Sequence, residues 1–129
     1  MGAFDMLAIA NTSLGMHQTW LDALADNIAN VNTIRRTSQK AFQAQMVIAN
    51  SRPGGGVDVA GIALGDPAGR MISDPTSPLA DADGYVRAPD IDMASQMSQL
   101  VMAQRGFQAS VQVTKNAQDT YNSALQIGR

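Results

Sequence analysis

Two stretches of the chain repeat apolar residues at alternating three- and four-residue steps, and the stretch between them does not. The first runs Leu7, Ala10, Leu14, His17, Leu21, Leu24, Ile28, Val31, with one polar interruption. That is the period of a helix stripe that packs on a second helix. Asp5 is placed to cap it, with Phe4 ahead and Ile9 one turn in as a hydrophobic staple. The second stripe runs Met93, Met97, Leu100, Gln104, Phe107, Val111, Thr114, Gln118, Tyr121, Leu125, behind Asp92 as cap. It spans about 35 residues, long for a globular helix and ordinary for a coiled coil.

Residues 33–90 hold all five prolines and seven glycines, a density no long helix survives. Short strands fit instead. "FQAQMVI" alternates, with Phe42, Ala44, Met46 and Ile48 on one face. "VDVAGIAL", "GRMIS" and "GYVRA" are further strands, and Asp83-Gly84 suits a turn joining two of them. The fold expected is mainly α. Long N- and C-terminal helices pair as a coiled-coil-like hairpin (1–32 and 91–129), with a small β and loop element (33–90) between them.

Charge narrows the class. The net charge is −2 and the sequence pI about 5.0, which argues against nucleic acid as the main partner. All eleven acids are aspartate. There is no cysteine, hence no disulfide and no thiolate site. No apolar run approaches a membrane span. "MGAFDMLAIA" lacks a basic start and a cleavage pattern, so no cleaved signal is expected. Met-Gly resembles a myristoylation start, but Met6 stands where Ser or Thr is wanted. The second helix carries only Arg105, Lys115 and Asp119 as charges, and its other polar residues are mostly Gln, Ser, Thr and Asn. Neutral faces of this kind suit contact with other protein chains, where a charge would cost desolvation.

"DNIANVNT" places Asn27, Asn30 and Asn32 where the first helix should end. Asn27 and Asn30 share a face if the helix continues, and Asn32 suits a left-handed or capping conformation. Either the triplet is an ordinary helix stop, or its amides form a contact network between chains.

The candidate chemistry is thin. Ser13, His17 and Asp22 at helical spacing supply neither oxyanion donors nor a pocket, so no catalysis is expected. In "LADADGYVRAPD", Asp81, Asp83, Gly84, Val86 and Asp90 fall at calcium-loop positions, but Leu79 stands at the first and Pro89 breaks the exit, so no metal is expected. "SRPGGGVD" lacks the Lys-Ser/Thr of a phosphate loop, and no cofactor is expected. Arg35, Arg36, Lys40 and Arg52 form a basic group, either solvated or facing an acidic neighbour or the cell-wall layer. Gly15 and Gly106 sit inside helices at about 1 kcal/mol each relative to Ala, which close helix approach would justify.

"DNIANVNT", "AQRGFQASVQV" (103–113), "DPTSPLADADGYVRAPDID" (74–92) and the closing "SALQIGR" together resemble the bacterial flagellar rod and hook family. The departures are "IRRTSQKAF" after Thr33, where the family often has glycine and an aromatic, and Ser77 where histidine is usual. The resemblance implies a structural, non-enzymatic subunit of the proximal rod. It would be exported by the flagellar type III apparatus without a cleaved signal, and assemble helically in the periplasm into a torque-bearing shaft. Implied partners are other copies of itself, other rod proteins and an adaptor protein at the membrane ring. The assembly contacts expected are Leu7, Leu14, Leu21, Leu24, Asn27, Ile28, Asn30, Asn32, Met97, Leu100, Arg105, Phe107, Val111, Tyr121 and Leu125. The alternatives are another rod or adaptor subunit of the family, or a free-standing helical-hairpin binding module.

Overall fold

A computed structural model describes residues 2–128; Met1 of the Met-Gly start and Arg129 of the closing "SALQIGR" lie outside the described residues. The order is α1 (Ala3–Ala29), β1 (Gln45–Ser51), β2 (Val57–Leu64), β3 (Arg70–Ser73), β4 (Tyr85–Ala88) and α2 (Met93–Ile127). At 27 and 35 residues, α1 and α2 are about 40 and 52 Å long. They lie antiparallel. Asn27 reaches Gln96, Ser13 meets Ser110, and Phe4 stacks edge-on against Tyr121 with ring centroids 5.0 Å apart.

The start of α1 differs from the expectation. The helix opens behind Gly2, and Asp5 is already in its first turn, where its carboxylate accepts the Gly2 N–H at 3.1 Å. The helix dipole favours an acid there too. α2 begins behind Asp92 as expected, but Asp92 makes no side-chain cap bond.

β1 and β2 form a two-stranded antiparallel ribbon with a bulge between Ile48 and Ala49. Its tip, Arg52–Gly56, folds back through positive φ at Gly54, Gly55 and Gly56, which only glycine adopts freely. The ribbon lies along α1. At the tip, Val57 N–H donates to Thr12 Oγ1 at 3.1 Å; at the base, Gln45 bonds Asn27. Phe42 and Ala44 precede the strand, and Met46 and Ile48 are exposed rather than covered. β3 and β4 form a second antiparallel pair. Residues 74–84 join them, so Asp83-Gly84 leads into β4 and is not a tight hairpin between adjacent strands. Arg35 and Arg87 exchange two backbone hydrogen bonds of 2.8 Å, which holds the 33–40 loop to β4.

The buried residues are Ala23, Leu24 and Asn27 near the end of α1, Ala41, Val86, Ala88 and Pro89 in and around β4, and Ile91 just ahead of α2. Beyond these, a thin seam of Ala10, Ala103, Ser110 and Ala117 runs between the helices. Six of the nine buried apolar residues are alanine, and only Leu24, Val86 and Ile91 are large. Against those three, nineteen large apolar side chains are exposed. A chain of this size ordinarily buries most of such residues.

Candidate functional site

Asn27 is 1 % exposed and joins three elements. Its Nδ2 donates to Gln45 O and to Gln96 Oε1, both at 2.9 Å, and its Oδ1 accepts Gln45 N–H at 2.7 Å. One amide thus fixes where β1 leaves the helix pair and sets the register of α1 on α2. Only an amide supplies two donors and an acceptor in one plane at this length. The other two asparagines do different work. Asn30 caps the end of α1, its Nδ2 donating to Asp26 O at 2.9 Å and its Oδ1 accepting from Thr33 Oγ1. Asn32 is exposed and is not left-handed, since no described residue other than glycine has positive φ. Within the chain the triplet is not one network: one member ties the fold together and one stops the helix.

The seam between the helices is lined differently from the expectation. On α2, Leu100, Phe107, Thr114 and Tyr121 are half-buried, as the pattern predicts. The second row facing α1 is Gln96, Ala103, Ser110 and Ala117, one residue before the predicted Met97, Gln104, Val111 and Gln118. On α1 the second facing row includes Ser13, which meets Ser110 Oγ at 2.8 Å, and Asn27. The missed rows are small or polar, and that is their function. Small residues let the backbones approach, as at Gly106, where a Cβ would collide with the imidazole of His17. Gly15, by contrast, faces open space.

One predicted row on each helix stands beside the contact line. On α1, Leu7, Leu14, Leu21 and Ile28 are half-buried; on α2, Met97, Val111 and Leu125 are 46–54 % exposed. Both rows are displaced one step the same way from the contact line. In an antiparallel pair such rows fall on the same flank. The flank carries Leu, Ile, Met, Val and two glutamines, and no charge.

No other candidate assembles. His17 Nδ1 lies 2.8 Å from Ser13 O, so it is the protonated nitrogen and cannot act as base toward the Ser13 hydroxyl. Asp22 accepts from Gln18 instead. The Asp81 carboxylate is fully engaged: Oδ1 accepts Tyr85 and Asp83 N–H, and Oδ2 accepts the Thr37 hydroxyl. The Tyr85 amide above all, with Thr37, Asp83 and Gly84, holds this carboxyl below the ordinary aspartate value, against an opposing desolvation. Among the described residues, no group of three or more acids or histidines could hold a metal. The basic group is not one patch. Arg52 sits at the ribbon tip beside Asp58, at 3.9 Å, whereas Arg35 is held to β4 at the other end of α1. An apolar groove of about 430 Å³ lies between Met6, Ile9 and Ala10 of α1 and Ala109 and Val113 of α2.

Of the predicted contacts, Leu24 and Asn27 are buried in the core, Leu100, Phe107 and Tyr121 belong to the internal seam, and Arg105 is exposed away from it. Met97, Val111 and Leu125 line the open flank, and Leu7, Leu14, Leu21 and Ile28 are half-buried along its edge. The row Gln96, Ala103, Ser110, Ala117 was missed, although its strict seven-residue spacing is a signal in itself.

Comparison with known proteins gives the class. The profile of the C-terminal region of the flagellar basal body rod FlgEFG proteins matches residues 82–127. The chain is 33 % identical over 135 residues to the flagellar basal-body rod protein FlgC of Yersinia enterocolitica, covering all of both. It is 29 % identical to FlgC of Bacillus subtilis over 150 residues and of Escherichia coli O157:H7 over 134, again over both whole chains. The chain belongs to the flagellar basal-body rod family. FlgC is the member it resembles from end to end.

Proposed function

We propose that the chain is a structural subunit of the flagellar basal-body rod, and that it packs helically with copies of itself and other rod proteins into the proximal part of a torque-bearing shaft. The observation that carries this is the uncharged apolar flank, set against a core with three large buried side chains. A surface that meets a different surface on its neighbour builds a helical filament when the rotation does not close. Contact with an adaptor protein at the membrane ring, and delivery by the type III export apparatus into the periplasm, follow from the same reading. Family membership supports them. Among the described residues no helix is long and apolar enough to cross a membrane.

The test separates assembly from folding. Val111 is 46 % exposed and Leu24 is 2 % exposed. Val111→Asp leaves the helix pair folded by circular dichroism and removes the chain from purified basal bodies, with loss of swimming. Leu24→Asp buries an unpaired charge and unfolds the chain itself. A Val111→Asp chain that still enters the rod, and cells that swim normally, would sink the assignment of this flank.

A further inference from the structure

Methionine is one of the residues most often found inside proteins. Here the preference is reversed. Met6, Met46, Met71, Met93, Met97 and Met102 are 38–56 % exposed, and none of the buried apolar residues is a methionine. Met16, on α1, is half-buried. The interior is made of Ala, Leu, Val and Ile, and the thioethers stand outside. With no cysteine in the chain, they are its only oxidisable sulfur.

One of the six is placed where oxidation changes what the surface can do. Met97 belongs to the uncharged flank, in the same row as Val111 and Leu125. We propose that the exposed thioethers are sites of reversible sulfoxidation, and that oxygen transfer to Met97 switches the flank from associating to non-associating. This rests on the assembly reading above. In the step, a sulfur lone pair attacks one oxygen of hydrogen peroxide, the O–O bond breaks, an S–O bond forms, and water leaves. The thioether loses two electrons and the peroxide gains them. The product is a polar, strongly hydrogen-bond-accepting group that costs desolvation in an apolar contact. A thiol-dependent sulfoxide reductase returns it to the thioether.

The full chain, diluted until it is monomeric by sedimentation, serves as substrate, with Met16 as the internal control. Mild hydrogen peroxide followed by peptide mass spectrometry is expected to add one oxygen to Met97 and Met102 about tenfold faster than to Met16. Equal rates at all three would overturn the proposal. Sedimentation then reads self-association. The untreated chain forms oligomers and the oxidised chain does not; Met97→Gln reproduces the loss without peroxide, and Met97→Leu keeps its oligomers after the same dose. Oligomers that survive full oxidation of Met97 overturn the switch alone. An untreated chain that stays monomeric at every concentration overturns the switch together with the assembly reading of the flank, while the oxidation map identifies which step failed.

Discussion

Asn27 shows how much one side chain can decide. Replacing it with alanine leaves the Gln45 N–H, the Gln45 carbonyl and the Gln96 amide oxygen without their partner at a buried junction. Each unmet group costs about 1–3 kcal/mol, moderated by whatever water enters. Asn27→Ala is therefore expected to lower the unfolding free energy by about 2–4 kcal/mol, read from urea denaturation. A loss under about 0.5 kcal/mol would show that the amide is dispensable. Asp81 acts through ionisation. Its folded-state value lies below that of the unfolded chain, so its contribution is present above the ordinary aspartate range and drains away as pH falls through the folded-state value. Urea midpoints of the wild type should fall across that acid window. Those of Asp81→Asn should fall less there, and parallel curves would contradict the assignment. Neither role was legible from composition. An asparagine at a helix end reads as a cap, and the feature that separates Asn27 from Asn30 is a strand arriving from eighteen residues further along.

At the scale of the element, the helices were legible and their faces were not. Both helices, their antiparallel pairing and all four strands follow from periodicity and from where proline and glycine fall. Of the two predicted rows on each helix, one was read one residue off, for one reason. Hydrophobic periodicity weighs large side chains, and here the closest contact is made by the smallest: Ala103, Ser110, Ala117 and Gly106. The leucines and valines that dominated the pattern lie largely beside that line and not on it. The two helix glycines test this account. Gly15→Ala meets nothing within 4 Å and removes a helix-weakening glycine, so a gain of about 0.5–1 kcal/mol is expected. Gly106→Ala has the same intrinsic gain but drives a methyl group into His17. It is expected to lower the melting temperature instead, and two melting curves decide it. Similar gains in both variants would mean that the helices are not held at this separation.

Across the whole molecule, the paired faces of α1 and α2 are far apart in sequence: Asn27 and Gln96 by 69 residues, Ser13 and Ser110 by 97. The earlier helix is thus completed by a segment made much later. Closing so large a loop is entropically slow. The cost falls unevenly along the seam, because Asn27 ties Gln45 of β1 and Gln96 of α2 together at one end, whereas at the other end the helices meet at the Phe4–Tyr121 ring contact. Pairing should zip from the Asn27 end toward the chain ends and unzip in the reverse order. A half-emerged chain can hold its small β layer and one unpartnered helix, and no more. The long-range pairing that completes the hairpin also keeps it from forming before α2 has arrived.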